Sequence, residues 1–219
     1  MAVLLKGSEV VSAMKERMIK DVEDIKRNGI TPCLAIVRLG RKPDDIAYER
    51  GAVKRCEGVG IECRLFEYPE NITQQELISE MEGINADASI HGILLFRPLP
   101  AHIDESAVKY RVSSDKDVDC FNPLNLVKVF EGDESGFSPC TPEAVLEILD
   151  HYGIDLKGKN VAVIGRSLVV GKPLSMLLLK RHATVTICHT RTHNIEEVCK
   201  NADILIAAAG KARMVNEGF

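Results

Sequence analysis

Long apolar runs are missing from this sequence of 219 residues. Apolar runs such as residues 93–96 and 204–209 are far shorter than the roughly 20 residues that span a bilayer. The first residues carry one lysine and no sustained apolar stretch, so we expect neither a signal peptide nor a membrane partner.

A strong charge of either sign is also absent. The chain has 28 Lys and Arg residues against 32 Asp and Glu residues, for a net charge of −4. Because no basic run or stripe stands out, we expect no nucleic-acid partner. Apolar residues make up 45% and charged residues 27%, which excludes a disordered or collagen-like chain.

Paired cysteine motifs are missing, although the chain contains seven cysteines. An odd number without a CxxC pair is typical of free thiols in a reducing cytoplasm. The best local cluster of metal-ligating residues is Cys188, His189 and His193, and it lacks the paired ligands of structural zinc sites. We therefore expect a cytoplasmic protein without a metal.

Helical and strand-like patterns alternate along most of the chain, which predicts an α/β fold with parallel sheets in two domains. The predicted boundary lies near Thr141 and gives domains 1–140 and 141–219. Residues 101–140 are predicted as a polar loop. Thr73 and Glu76 form a capping box, and Pro142 is predicted at the first position of a helix. The predicted strands are 33–39, 62–68, 90–95, 160–164, 184–188 and 203–207, and the predicted helices are 8–27, 44–58, 73–84, 141–152, 173–181 and 195–201.

The strongest chemical signal is a strand–loop–helix unit at residues 161–173. Gly165 permits a tight turn, and Gly171 allows a phosphate or the adjacent backbone to approach closely. Such a turn directs backbone N–H groups and a helix N-terminus at an anion. The glycines are separated by five residues and do not form GxGxxG, so an ordinary βα turn remains the alternative. The unit predicts a Rossmann-like dinucleotide-binding domain.

The end of the next predicted strand, residues 188–192, contains no acid. Enzymes that prefer the unphosphorylated dinucleotide usually place Asp or Glu there, about 20 residues after the glycine loop. Here Thr190 and Arg191 occupy this stretch, and Arg166 lies nearby in the predicted fold. The pattern favours a 2′-phosphate and therefore NADP, with a solvated surface charge as the alternative for Arg191.

Residues 115–121 place three carboxylates and one ammonium group in a loop. A solvated charge run is the usual explanation, yet loops at strand ends are where α/β folds place substrate contacts. Tyr48 and the Pro98-Leu99-Pro100 stretch can line the same cleft.

Four motifs stand out along the chain. They are Lys116-Asp117-Val118-Asp119-x-Phe121-x-Pro123, Pro139-Cys140-Thr141-Pro142, Gly165-Arg166-Ser167-x-x-Val170-Gly171-x-Pro173 and Ala183-Thr184-Val185-Thr186-x-Cys188-His189-Thr190-x-Thr192. In the order and spacing of these motifs, and over essentially its whole length, the chain resembles the methylenetetrahydrofolate dehydrogenase/cyclohydrolase family.

The resemblance implies a catalytic, folate-binding domain at 1–140 and an NADP-binding domain at 141–219, in a homodimer. Tyr48 matches the folate-site tyrosine, and Asp119 matches the aspartate that holds the pterin ring. These two residues are the expected catalytic pair. The other expected substrate contacts are Pro98, Leu99 and Pro100, and the expected cofactor contacts are Gly165, Arg166, Ser167, Gly171 and Thr190.

Two departures from the family pattern concern proton transfer. Ala52 stands where the bifunctional members have lysine, four residues after the tyrosine, and Phe96 stands where they have glutamine. Hydride transfer needs positioning more than acid–base help, whereas hydrolysis of the methenyl product needs a group that moves protons. The residues therefore predict a dehydrogenase with weakened or absent cyclohydrolase activity.

Two alternatives remain open at this point. One is a bifunctional enzyme that recruits Lys54 or Arg55, although Lys54 should face away from Tyr48 on a helix. The other is a non-catalytic folate- or nucleotide-binding remnant. The family continues beyond this point with a further strand, a glycine-rich loop and a helix, so we expect the chain to be truncated at its carboxyl end.

Overall fold

The computed structural model describes residues 4–216 and 218–219. It contains two compact units that divide between Asn125 and Leu126. Each unit is built on a three-stranded parallel sheet with helices, which confirms the predicted α/β class. The predicted boundary at residue 141 lies after this division. The segment before it belongs with the second unit because Val129 lies in that unit's core and Glu134 pairs with Lys180 at 2.6 Å.

In the first unit the strand order is β2-β1-β3, and all pairs are parallel. The central strand is buried along nearly all of its length and reads as a continuous apolar run, except for one arginine, Arg38. Such a run is expected of a strand that is covered on both faces. The elements are α1 (Gly7–Arg27), β1 (Cys33–Leu39), α2 (Pro43–Glu57), β2 (Glu62–Tyr68), α3 (Gln74–Ala86), β3 (Gly92–Leu95), α4 (Glu105–Val108) and α5 (Pro123–Glu131), whose carboxyl part lies in the second unit.

In the second unit the order is β5-β4-β6, again parallel throughout. The central strand is β4, and its four residues after Asn160 are buried between a large cluster packed on α6 and α7 and a smaller one around Cys188 and Cys199. The elements are α6 (Cys140–His151), β4 (Asn160–Ile164), α7 (Gly171–Lys180), β5 (Thr184–Cys188), α8 (Ile195–Lys200) and β6 (Ile204–Ala207).

Most predicted elements are present, and the capping box is confirmed: Thr73 and Glu76 each accept a hydrogen bond from the other's backbone N–H. The placement of Pro142 was wrong. The helix begins at Cys140, so Pro142 is its third residue. The first four N–H groups of a helix have no intrahelical partner, so a proline fits there as well as at the first position. Two helices, α4 and α5, lie in the segment predicted as a polar loop.

Across the part of the chain that the structure describes, no helix is both long enough and apolar enough to cross a membrane.

Candidate functional site

The first unit contains a cavity of about 280 Å³. Polar side chains from helix α2 and from the chain beyond strand β3 line it. Helix α2 contributes Asp45 and Tyr48, which stand three residues apart and so share a helix face. The cavity is lined by Asp45, Tyr48, Leu94, Leu95, Phe96, Arg97 and Asp119. The structure therefore brings together the two predicted catalytic residues, Tyr48 and Asp119.

Two aromatic rings form one wall of this cavity. Tyr48 and Phe96 meet edge to face, with ring centroids 5.2 Å apart and an interplanar angle of 64°. Tyr48 is 60% exposed, so this residue is accessible to a ligand. Aromatic pairs of this geometry favour the binding of flat, largely apolar ring systems.

Opposite charges meet at the same cavity. Arg97 Nη2 donates a hydrogen bond to Asp119 Oδ2 at 2.9 Å, and the Arg97 guanidinium lies 4.6 Å from the centroid of the Phe121 ring. Neither Arg97 nor Asp45 was predicted as a site residue. Asp45 could have been found from its helical spacing to Tyr48, whereas no sequence signal pairs Arg97 with Asp119.

The charged loop before Asp119 is not a solvated charge run. Asp117 is 1% exposed, and its carboxylate accepts hydrogen bonds from the backbone N–H groups of Phe121 and Asn122 and from the side chain of Asn125. Lys116 Nζ donates to the carbonyls of Asn85 and Asp87 at the end of α3. These hydrogen bonds hold the loop in place, and Asp119 lies beside the cavity.

The Pro98-Leu99-Pro100 stretch lies outside this cavity lining. Leu99 is buried in the core of the first unit, and its backbone N–H donates to Glu105 at 3.0 Å. Leu99 and Pro100 line a separate depression together with Lys42, Glu70 and His102. These residues close the end of β3, and the cavity does not include them among its lining residues.

The lysine and arginine that could have replaced the missing base lie elsewhere. Lys54 and Arg55 line an apolar groove between α1 and α2, with Met14 and Met18 on the α1 side. As the helical spacing predicts, Lys54 does not line the cavity of Tyr48. The described residues of that cavity contain no lysine.

A buried ion pair anchors α2 next to Tyr48. Arg38 on β1 is 3% exposed, and its Nε donates to Glu49 Oε2 at 2.7 Å. A second nitrogen, Nη2, lies 2.7 Å from Glu67 Oε2, and Nη1 donates to the Gly40 carbonyl. The hydrogen bond to Glu49 raises the pKa of the Arg38 guanidinium above its ordinary value, so this charge is permanent.

In the second unit, a glycine-bounded loop joins β4 to α7. Gly165 has φ +136°, and a Cβ there would lie 2.6 Å from the carbonyl oxygen of Ala208. A Cβ on Gly171 would overlap the Gly165 carbonyl, so the loop closes on itself at this point. Ser167 Oγ accepts a hydrogen bond from the N–H of Val170 at 3.1 Å, while Arg166 and Ser167 are exposed. In the first turn of α7, Gly171, Pro173 and Leu174 are buried and the Lys172 N–H donates to the Ser167 carbonyl at 3.0 Å, so the backbone that this loop exposes to an anion is that of residues 166–169.

The end of β5 lies beside this loop. Ile164 and Cys188 are register partners at the carboxyl ends of β4 and β5, so Arg166 and Thr190 follow neighbouring strand ends. His189 and Thr192 are held by a hydrogen bond from the His189 N–H to Thr192 Oγ1 at 2.8 Å, which leaves Thr190 exposed in the turn. This edge carries cations and hydroxyls and no carboxylate between residues 188 and 193. The residues present fit the phosphates of NADP.

No cysteine is among the residues that line the cavity of Tyr48 and Asp119. Burial raises the pKa of the Cys33, Cys188 and Cys199 thiols, and raises the pKa of Cys63 to about 12. They are therefore protonated thiols at neutral pH and poor nucleophiles. Within residues 4–216 and 218–219 no group of three His, Cys, Asp or Glu residues is placed to hold a metal ion.

Comparison with known proteins identifies the family of each of the two units. Residues 5–119 match the model of the catalytic domain of tetrahydrofolate dehydrogenase/cyclohydrolase, and residues 139–219 match the model of its NAD(P)-binding domain. The chain is 54% identical over 216 residues to the bifunctional protein FolD of Clostridioides difficile, covering 99% of this chain and 75% of that protein.

Solved structures agree with the sequence matches. The bifunctional FolD of Campylobacter jejuni, a methylenetetrahydrofolate dehydrogenase/cyclohydrolase, superposes with a TM-score of 0.95 at 38% identity, over 99% of this chain and 77% of that one. The Trypanosoma brucei enzyme, solved with NADP cofactor and inhibitor, gives a TM-score of 0.88 at 32% identity, over 96% of this chain and 72% of that one.

A parallel sheet with a glycine-bounded loop at one edge, joined to a second α/β unit with a polar cavity, defines a dinucleotide-dependent oxidoreductase. The chain belongs to the tetrahydrofolate dehydrogenase/cyclohydrolase family. It is an NADP-dependent methylenetetrahydrofolate dehydrogenase, as predicted, and the alternative of a non-catalytic remnant was wrong. The predicted weakening of the cyclohydrolase is not borne out, since the relatives named above are bifunctional.

Proposed function

We propose that the cavity of the first unit is where this enzyme binds methylenetetrahydrofolate, with Asp119 and Tyr48 as the residues that contact the substrate. The observation that carries the proposal is the convergence of an aromatic wall and a carboxylate on one cavity of about 280 Å³. On this proposal the first unit, residues 6–125, holds the folate, and the second unit, from residue 126 onward, holds NADP.

Asp119 recognises the pterin ring by hydrogen bonding. The ring presents two adjacent donors, its 2-amino group and its N3–H, and a carboxylate presents two adjacent acceptors. A paired, charge-assisted interaction of this kind fixes both the position and the rotation of a planar ring. Tyr48 and Phe96 cover the ring's apolar surface. Pro98, Leu99 and Pro100 act indirectly, since they hold the end of β3 in place.

Gly165, Arg166, Ser167, Gly171 and Thr190 hold NADP. The glycines let the loop close against the Ala208 carbonyl and against itself, which presents the exposed residues 166–169 to the dinucleotide phosphates, while Arg166 and Thr190 bind the 2′-phosphate. When bound, NADP supplies a hydride acceptor. The chain's residues supply orientation, because the nitrogen lone pair of the folate itself assists departure of the hydride from the methylene carbon.

The test of this site is Asp119→Asn, which keeps the volume and places an amide donor against a ring donor. We expect kcat/KM for methylenetetrahydrofolate to fall about 100-fold, as when one partner of a hydrogen-bonded charge pair is lost. The rate is read from the absorbance of the methenyl product. Asp115→Asn, at an exposed carboxylate of the same loop, is the matched control and should be unchanged. Equal losses in the two variants would remove Asp119 from the site.

A second activity is proposed from the same cavity because the relatives carry both names. Hydrolysis of the methenyl product needs a base to take a proton from water. Ala52 and Phe96 offer none, and Asp119 is occupied by the ring, so Asp45 is the carboxylate of the cavity that remains for this role.

Asp45→Asn should therefore lower methenyl hydrolysis at least about tenfold, the low end of what a general base contributes, and leave hydride transfer largely unchanged. The measurement is methenyl decay corrected for the spontaneous reaction. A variant that hydrolyses as fast as the unmodified enzyme would exclude Asp45 as the base. An unmodified enzyme without hydrolysis above background would exclude the second activity.

The proposal extends to setting and assembly. The seven cysteines all lie in the described part of the chain and form no disulfide there, which supports a reducing cytoplasmic environment. The family resemblance supports a homodimer, without nucleic-acid or membrane partners. Light scattering of the purified protein at several concentrations tests the dimer, and a monomeric mass throughout would exclude it.

A further inference from the structure

Neither hydride transfer nor hydrolysis explains the presence of Arg97 in the folate cavity. Its side chain is 25% exposed, lines the cavity and lies at the carboxyl end of β3. The charge of a guanidinium is permanent, so this residue cannot act as a proton donor or acceptor in the reaction. Its position beside Asp119 points instead to recognition of the ligand.

Two contacts fix the plane of this guanidinium. Nη2 donates to Asp119 Oδ2 at 2.9 Å, and the central carbon lies 4.6 Å from the centroid of the Phe121 ring. Within the described part of the chain, Asp119 is the only residue that accepts a hydrogen bond from Arg97. A guanidinium has five N–H donors in a rigid fork, so further donors stay available at the cavity wall.

Asp119 and Arg97 together form a row of hydrogen-bonding groups. The carboxylate contributes two acceptors, and each of its oxygens can accept more than one hydrogen bond, so the ion pair does not exhaust it. The guanidinium adds a donor next to them. The row reads acceptor, acceptor, donor.

A 4-oxo pterin ring presents the complementary row on one edge, with its 2-amino group as donor, its N3–H as donor and its C4 carbonyl as acceptor. We propose that Arg97 is a specificity-determining residue that donates a hydrogen bond to the C4 carbonyl of the pterin and so selects 4-oxo over 4-amino pteridines. This inference rests on the proposed folate site and adds the group that reads position 4.

A ring with an amino group at position 4 reverses one member of the row. Its C4 amino group places a donor against the Arg97 donors, and its N3 becomes an acceptor that faces the Asp119 carboxylate. Unpaired or opposed polar groups in a site built for hydrogen bonds discriminate far more strongly than a difference in size. Discrimination at position 4 is therefore the property that Arg97 controls.

The experiment compares tetrahydrofolate with its 4-amino analogue, the tetrahydro form of aminopterin, which differs at position 4 alone. Equilibrium binding to the protein is measured by calorimetry at a pH where both rings are uncharged. The unmodified protein should bind the 4-oxo compound about 10- to 100-fold more tightly, the range expected for a hydrogen bond to a charged group. In Arg97→Met this ratio should fall severalfold, because the donor that reads position 4 is gone, while the opposition between N3 of the 4-amino ring and the Asp119 carboxylate keeps part of the preference.

Two further variants separate the explanations. Arg64→Met removes an arginine from an ion pair of similar length, 3.0 Å to Asp87, on an exposed surface of the same unit, and should keep the full ratio. Arg97→Lys keeps the charge and loses the planar fork, so its ratio should be intermediate. Loss of affinity for both rings in Arg97→Met with the ratio unchanged would mean that Arg97 only holds Asp119, and would overturn the inference.

The outcome for the folate site itself is read from Asp119→Asn. If that variant loses both ligands while Arg97→Met keeps the ratio of the unmodified protein, the site stands and the inference is wrong. Absence of binding of both rings to the unmodified protein would remove the proposed site, and the inference with it.

Discussion

The two units of this enzyme differ in where their charged side chains lie. The buried charged side chains among the described residues, Arg38, Glu49 and Asp117, all lie in the first unit. Among the described residues of the second unit, the one buried polar side chain is that of Ser175, and it is uncharged. Its hydroxyl donates a hydrogen bond to the Gly171 carbonyl at 2.7 Å. The charged groups expected to meet NADP, by contrast, are exposed on loops.

This difference corresponds to two forms of recognition. The first unit holds ionised side chains in fixed orientations, which suits the edge of a single ring. In the second unit the groups proposed to meet NADP lie on the exposed loop after β4 and on the exposed turn after β5, where backbone and side chains suit phosphates. Side-chain substitutions should therefore affect the first unit more severely than the second, and the predictions below test that asymmetry.

The largest effect is expected from Glu49→Ala. It leaves the Arg38 guanidinium, 3% exposed, without its principal partner, and breaking a buried pair on one side costs about 3–5 kcal/mol. Amide hydrogen exchange resolves the effect strand by strand, since protection in β1 should fall while protection in β4 stays constant. If the amide protection of β1 is unchanged, then Glu67 and the Gly40 carbonyl are enough to stabilise the buried Arg38 guanidinium.

A smaller effect is expected from Arg166→Ala in the second unit. Loss of a charge-assisted hydrogen bond to the 2′-phosphate should weaken NADP binding by about 1.5–3 kcal/mol, roughly 10- to 100-fold. Binding of NAD, which lacks that phosphate, should hardly change, and so serves as the internal control. Equal losses for the two dinucleotides, measured by fluorescence titration, would show that Arg166 does not read the 2′-phosphate.

The smallest effect is expected from Glu134→Gln, at an exposed ion pair of the second unit. The hydrogen bond from Lys180 lowers the pKa of Glu134 below its ordinary value. A lowered folded-state pKa stabilises the fold above the unfolded-state pKa, and this contribution is lost as the pH falls through the folded-state value. The urea midpoints of the variant and the unmodified protein should differ slightly at neutral pH and coincide in acid. A difference that grows on acidification would contradict this assignment.

Much of the fold follows from local sequence. The strands β1, β2, β4 and β5 have the bounds predicted from their apolar or alternating patterns, because turn residues delimit each segment on at least one side. The helix α5 was not predicted, since its Val127-Lys128-Val129 stretch alternates like a strand and nine residues give little helical periodicity. The four residues of α4 are too few to show any period.

The site was predicted only in part. Tyr48 and Asp119 carry family motifs, and the structure places both on one cavity. Arg97 escaped prediction because its ion pair with Asp119 spans 22 residues, and periodicity does not describe the direction of a side chain that follows a strand end. Leu99 and Pro100 were expected at the cleft for their place in the motif, whereas Leu99 packs into the core, as an apolar side chain next to a buried strand commonly does.

The anchored loop of residues 115–121 has a consequence for the energetics of ligand capture. Asp117 holds three donors and Lys116 holds two carbonyls of another element, so the segment that carries Asp119 is ordered by contacts within the protein. When a loop becomes ordered only on binding, the loss of its conformational entropy weakens the affinity. Here the conformational entropy of the loop is lost during folding, so the Asp119 carboxylate is already oriented when the ligand binds.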